Sequence, residues 1–437
     1  MTTQVVDTSA YALKKFSVAL TVLGVRTPTD MTPLLGKPPT QGKAEQMAKQ
    51  QSSPGMPGIL VTDLSAKKAG TQVTIEAFDT LGGEAIMGDE IREGKGENID
   101  VSSMSAKIDL SSKVVNAVAG KMIDQRTSIQ FSTMATAQLA GYFPRLLWNR
   151  AQVQISGARG SQRGKAWHIK TLAQSDAVSF ARRMINPVMA PTYNRHLVAN
   201  AATLVQGGQQ LASIASTDVF RLSHIDALAE YLESIEFKIQ PIMLPNDPAA
   251  SYSPIRGVLY LDPQQYAQIK AETTANYNIR NFQALATERA NVMGLQKHPL
   301  FMGDVLMWNN IVIRPMGNSV YFNPGDSTQI ITAANRYTGT ESAQVVNAGL
   351  GAGFRVSRAI FMGAQAFAVL QGNNETSGMT AAMKVRLYDY EAKQENMGEW
   401  MGGEVKLRFS FRDADGNLEP TDMGVIVIDT AVRAVGI

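Results

Sequence analysis

Between Lys121 and Gly157, apolar residues recur at Phe131, Met134, Ala135, Leu139, Tyr142, Phe143, Leu146, Leu147 and Ala151. Steps of three and four residues place them on one face of a helix. Asp124 and Thr127 supply start signals and Gly157 a stop, so the pattern predicts a helix over Gln125–Ser156, about 48 Å long. Pro144 lacks an N–H and its ring meets the carbonyl of Ala140, which predicts a kink with Gly141 making room for it. Two helices meeting at 140–144 are the alternative. The apolar spacing keeps phase across the proline, which favours one kinked helix. A helix of this length acts as a beam on which other layers are laid.

Period-two alternation picks out strands. Val73, Ile75 and Ala77 alternate with Thr74 and Glu76, although Phe78 spoils the polar face. A returning strand falls in Ile99–Leu110, where Ile108 and Leu110 alternate with Lys107 and Asp109. The connection Leu81–Asn98 is far longer than an ordinary hairpin turn, and connections of that length are functional or disordered. It holds five glycines and a net charge of −3 from Glu84, Asp89, Glu90, Arg92, Glu93, Lys95 and Glu97. Ser223 and Asp226 read as a weak capping box before a helix with Ile225, Leu228, Ala229, Leu232 and Ile235 on one side. Gly257–Leu261 reads as a strand running into a helix start at Asp262–Pro263. A helix is expected around Asn281–Val292 and a strand around Val305–Ile313. Glu404–Arg412 alternates most cleanly, Asp413–Asn417 supplies a turn, and Val425–Ile428 is an apolar run suited to a covered strand.

The first 57 residues differ in kind. Leu13, Phe16, Leu20 and Leu23 share one helical face, and a stretch rich in proline and glycine follows to Gly58. Lys14 and Lys15 before Phe16–Val25 imitate a signal peptide, but no small-x-small site follows, so an amphipathic helix is the better reading. An arm with so little core of its own is most easily ordered by lying on a neighbouring subunit.

Length and charge narrow the classes. At 437 residues the chain exceeds what a single core supports, so two or more lobes are expected. The net charge of +3 is too small to argue for nucleic acid by itself. Locally the sign is stronger. Arg145, Arg150, Arg159, Arg163, Lys165 and Lys170 lie in one stretch with no acid, a local +6. A solvated face, a phosphate-backbone surface and a partner for the acidic loop all fit that stretch. The absence of cysteine excludes disulfides, thiolate nucleophiles and cysteine metal sites. No phosphate-binding loop, zinc-protease helix or nucleophile elbow occurs, and no apolar run reaches a membrane span. Gly349–Gly353 reads as a flexible turn, and the four histidines as capping, packing or exposed residues. No catalytic, cofactor or metal residue is expected.

AIMGDEIREGKGENI (Ala85–Ile99), KMIDQRT (Lys121–Thr127), ISGARG (Ile155–Gly160) and APTYNRH (Ala190–His196) resemble the N-four-like family of tailed-phage major capsid proteins, as does AEQMAKQQSSPGMP (Ala44–Pro57). The order and spacing of these motifs carry the resemblance over most of the chain, with a departure from the family pattern at Pro144. The resemblance implies an α+β, HK-ninety-seven-like fold: an N-terminal arm (1–57), an E-loop hairpin (58–120), a peripheral domain with a spine helix (121–190 and 355–437) and an axial domain (191–354). It implies a non-enzymatic subunit without cofactor that forms hexamers and pentamers closing an icosahedral shell around double-stranded DNA. The implied location is the virion capsid, assembled in the host cytoplasm. Implied partners are further copies, a portal, scaffold or decoration proteins, and packaged DNA held by non-specific contact; no membrane is implied. Glu84, Asp89, Glu90, Arg92, Glu93 and Glu97 would then be an inter-subunit loop tip. Arg145, Arg150, Arg159, Arg163 and Lys165 would face another subunit or DNA. No motif supports covalent cross-linking. The competing reading is an α/β enzyme or carbohydrate-binding module with its site in 191–354.

Overall fold

A computed structural model describes residues 34–36, 55–65, 72–78, 85–88, 90–96, 101–117, 131–158, 184–244, 252–276, 279–292, 299–301, 303–317, 319–351, 353–373, 380–388, 393–413 and 415–433. The expected N-terminal amphipathic helix and the first turns of the expected long helix lie outside them. In chain order come β1 (Gly58–Ser65), β2 (Gln72–Phe78), β3 (Val101–Lys107), β4 (Asp109–Ala117) and α1 (Phe131–Ser156). Then follow β5 (His196–Asn200), β6 (Thr203–Gln206), α2 (Leu222–Ser234), β7 (Gly257–Leu261), α3 (Pro263–Asn276) and α4 (Ile279–Val292). The short strands β8 (Leu306–Trp308), β9 (Ile311–Pro315), β10 (Val320–Phe322), β11 (Ser327–Ile330) and β12 (Ser342–Val345) come next. The end is β-rich: β13 (Phe354–Met362), β14 (Phe367–Asn373), β15 (Ala381–Tyr388), β16 (Lys393–Lys406), β17 (Arg408–Arg412), β18 (Leu418–Asp422) and β19 (Val425–Arg433).

Two sheets carry the architecture. One has the order β1-β14-β16-β15, with β4 also paired to β16. The other has the order β6-β5-β19-β13-β7-β9-β8, with β10 also paired to β13. The apolar run at Val425 becomes β19, buried between antiparallel β13 and parallel β5. β13 and β19 thus sit inside the sheet built largely from 191–354, so a boundary at 354/355 would cut through paired strands. The hairpin expected over 58–120 is also shorter. β1 pairs with β14 and β4 with β16, which leaves the β2–β3 ribbon as the projecting part.

α1 runs unbroken through Pro144. It lies against both sheets: Phe143 stacks on Trp400 of β16 at 6.5 Å, and Trp148 meets Tyr260 of β7 at 6.0 Å. From Leu146 to Ser156 every residue is buried, including Asn149, Gln152 and Gln154. The single apolar stripe therefore describes only the first half of the helix.

Three local expectations change. The strand expected over Val305–Ile313 is a hairpin, because Asn309 (φ 48°) and Asn310 (φ 60°) take the left-handed pair of a two-residue turn. The start of α2 is closed by His224, whose Nδ1 accepts the Arg221 N–H at 3.1 Å. Asp226 instead accepts from Trp308 Nε1 and Asn309 Nδ2 at 2.6 and 2.7 Å. The alternating strand Glu404–Arg412 breaks at Leu407, and the polar residues before the break turn inward, with Glu404 and Lys406 buried while Arg412 stays exposed.

Candidate inter-subunit surfaces and their internal anchors

The β2–β3 ribbon is fixed at its base. Ile75 and Ala106 pack with Ile108, Phe409 and Phe411, and the Ser410 N–H donates to Ser102 Oγ at 3.1 Å. The loop beyond it is held by local turns, with Gly88 (φ 57°) and Gly94 (φ 81°) in the left-handed region that suits glycine. Within it Met87 is 71% and Ile91 75% exposed. Lys95 Nζ lies 2.7 Å from Glu90 Oε2, so this acid already has a partner in its own loop. Arg92 and Glu93 are exposed. Glu84, Asp89 and Glu97 lie outside the described residues.

The basic stretch divides. Arg145 is exposed, its Nε donating to the Gly141 carbonyl at 2.8 Å. Arg150, expected at a surface, is 8% exposed and donates from Nη1 to Ser111 Oγ of β4 at 2.7 Å. It faces Glu404, whose carboxyl is raised by burial while Arg150 opposes the rise. Arg150 belongs to the packing of α1 on its sheet, because a long cation beside a buried acid is held there. Arg159, Arg163 and Lys165 lie outside the described residues.

The arm has an anchor in its own subunit. Leu34 is fully buried in the main core with Leu60, Phe143 and Phe367. Leu35 forms a parallel bridge to Gly58, and the Gly36 N–H donates to the Gly58 carbonyl at 3.0 Å. A side chain at Gly58 would meet Leu35 and Phe367, so glycine is needed for this approach.

Two buried ion clusters tie the layers. Arg358 of β13 donates Nε and Nη2 to the two oxygens of Asp429 on β19, both at 2.7 Å, and Nη1 to the Ser156 carbonyl at 2.9 Å. One guanidinium thus joins the sheet to the C-terminal end of α1, where the helix dipole favours a cation. His196 Nε2 lies 2.7 Å from Asp429 Oδ2. Burial alone would raise the Asp429 carboxyl, but Arg358 and His196 outweigh it and hold it at about 2. Burial lowers His196 below its ordinary value, with Asp429 opposing. In the second cluster, Asp422 receives Lys406 Nζ at 2.7 Å and Arg408 Nε at 2.8 Å. Arg408 also donates to the Ala190 carbonyl, and Arg195 Nε to the Asp422 carbonyl at 2.9 Å. Burial lowers Lys406 to about 8, Asp422 partly offsetting it.

The family model described as phage capsid protein matches residues 3–434. The chain belongs to the phage capsid protein family. Solved structures agree on the fold. The capsid of Ralstonia phage GP4 superposes with a TM-score of 0.65 at 21% identity, covering 88% of this chain and 90% of that one. The head of Helicobacter pylori bacteriophage KHP40 gives 0.54 at 11% identity, covering 93% and 91%. The cyanophage Pam1 capsid gives 0.51 at 14%, covering 92% and 96%. No curated protein matches the sequence. The fold is the α+β, HK-ninety-seven-like fold of tailed-phage capsids.

This phage capsid protein is a structural major capsid protein of the virion, built into capsomers from copies of itself, and is not an enzyme. The reading of 191–354 as an enzyme lobe falls with that. A cleft of about 540 Å³ in this lobe, lined by Arg256, Leu285, Glu288, Arg289 and Trp308 among others, is open and mixed in character. Among the described residues no group of three His, Asp or Glu is placed to hold a metal, and no helix is long and apolar enough to cross a membrane. Sequence reasoning missed both ion clusters and the Leu34 anchor. Asp429 had a signal, since it is an acid inside the apolar run of β19. Leu34 and Asp422 had none.

Proposed function

We propose that this capsid protein assembles as hexamers and pentamers that close an icosahedral shell around double-stranded DNA in the host cytoplasm, with a portal and with scaffold or decoration proteins as further partners. The observation that carries the reading is the tip of the β2–β3 ribbon. It presents Met87 and Ile91, two large apolar side chains that the described residues of the same subunit leave open. Exposed apolar groups on a projecting element gain most when a neighbouring copy covers them. On this reading α1 and the five-stranded sheet form the peripheral domain, and the eight-stranded sheet with α2–α4 forms the axial domain. Electron microscopy of the purified protein tests it. Closed shells with five- and six-fold capsomers are expected, and a monodisperse 47.3 kDa monomer under assembly conditions would overturn it.

A further inference from the structure

Arg195 is a buried cation with no carboxylate bonded to it. It ends the turn Tyr193–Arg195 that leads into β5, and it is 1% exposed. Its Nε donates to the Asp422 carbonyl at 2.9 Å and its Nη2 to the Phe237 carbonyl at 2.6 Å. Its Nη1 has no hydrogen-bond partner among the described residues. The Asp422 carboxylate is taken up by Lys406, Arg408 and the Thr192 N–H. Burial lowers Arg195 to about 10, with Tyr231, Asp422 and Glu419 opposing, so it stays charged at neutral pH. Tyr231 is pushed up to about 12 by burial and remains a neutral phenol, donating to the Asn194 carbonyl at 2.6 Å. Four cations, Arg195, Arg336, Lys406 and Arg408, thus meet two buried acids, Asp422 and Glu419. Buried charges are as a rule paired, and an uncompensated one is costly.

A cavity of about 220 Å³ adjoins Arg195. Its lining includes Phe237, whose carbonyl takes Arg195 Nη2, and Tyr231 and Glu419, whose charges act on the guanidinium. Arg336 lines the same cavity from a separate segment. Its Nη2 holds Glu419 Oε2 at 2.8 Å, and its Nε has no hydrogen-bond partner among the described residues. Two guanidiniums therefore keep an unused N–H at one cavity. Glu419 opposes an anion only weakly, because burial raises its carboxyl even with Arg336 beside it. Glu236, the other acid of the lining, is exposed. Guanidinium N–H groups match the oxygens of carboxylate and phosphate. At roughly 30 Å³ per water, the cavity has room for one small oxyanion.

We propose that this cavity is a binding site for one small oxyanion from solution, phosphate or a simple carboxylate, held between Arg195 Nη1 and Arg336 Nε. The ion supplies the counter-charge that Arg195 lacks, and it clasps the segment carrying Arg336 to the turn before β5. The test uses unassembled full-length protein in a chloride buffer free of oxyanions. Inorganic phosphate and, separately, acetate are titrated in at constant ionic strength. Saturable binding of one ion per subunit is expected for at least one of the two. No saturable binding of either overturns the proposal and leaves the cavity to water. Arg195 is too deeply buried to be a safe substitution, whereas the Arg336 side chain is 32% exposed. Arg336→Gln should keep the circular dichroism of the parent and weaken binding by about tenfold or more, the size of one charge-assisted hydrogen bond. Glu419→Gln removes the acid that faces the ion and should strengthen binding. Unchanged affinity in Arg336→Gln places the ion elsewhere. Weakened affinity in Glu419→Gln means that the Arg336–Glu419 pair only shapes the loop. Either result overturns the proposal.

Discussion

Arg358 has the most to lose from a single substitution. Removing it strands Asp429 as a buried unpaired charge and frees the Ser156 carbonyl at the end of α1. Arg358→Met should cost about 3–5 kcal/mol, since breaking a buried pair leaves one ion uncompensated. Asp429→Leu added to it should recover much of the loss, because replacing both partners removes the stranded charge. Denaturant midpoints of unassembled subunits read both, and equal instability of the single and double variants would contradict the account. The same cluster sets a pH dependence. His196 and Asp429 both have folded values below their unfolded ones, so the unfolded chain binds more protons and stability rises with pH. Stability should therefore begin to fall as pH drops through about 6.5, where unfolded histidine protonates, and fall further between about 4 and 2 as the carboxylate protonates. His196→Gln should flatten the first step and leave the second. A first step of unchanged size in that variant would assign it to another group.

At the level of elements, the arm behaves differently from its proline-rich composition. Leu34 is a core residue, so Leu34→Ala should cost about 2–5 kcal/mol. A deletion ending at Pro33 should keep the subunit folded, whereas one extended through Gly36 should destabilise it by at least as much as the point change; thermal unfolding of the two truncations compares them. Equal melting temperatures would mean that Leu34 fills no space that matters. The sequence did show several elements plainly. The β2–β3 ribbon, β7 and the Asp262 start of α3 follow from alternation and capping residues, because those signals are local. The division of Val305–Ile313 was hidden because its apolar residues run on either side of Asn309–Asn310, and the left-handed turn depends on those two asparagines alone. The second half of α1 was hidden for another reason. Periodicity reveals which side is apolar, but two sheets cover this helix, so Asn149, Gln152 and Gln154 are buried without breaking the pattern. Lys406 misled similarly: alternation gave its side of the strand, and only Asp422, sixteen residues away, shows that this side faces inward.

For the whole molecule, the question is which chemistry at the ribbon tip joins one subunit to the next. The acidic composition of Leu81–Asn98 points to charge, with Glu90 and Glu93 meeting basic residues such as Arg159 and Arg163 of a neighbour. The tip itself argues for apolar contact. Glu90 is already paired with Lys95 at 2.7 Å, so docking elsewhere first breaks that pair, and an exposed ion pair is worth only about 0–1 kcal/mol. Met87 and Ile91 are open, and fully covering one such side chain contributes about 1.5–3 kcal/mol. The apolar term is larger per residue, and it repeats at every copy around a capsomer. Met87→Ser/Ile91→Ser should therefore leave the subunit folded, by circular dichroism, yet strongly reduce particle yield in sedimentation. Glu90→Lys/Glu93→Lys should lower yield modestly and in a salt-dependent way, since charge mainly steers encounter and register. Adding Arg159→Glu/Arg163→Glu should restore only that modest part. If the serine variant assembles normally while the lysine variant fails and is rescued by the glutamates, charge dominates the contact and the apolar account of the tip is wrong.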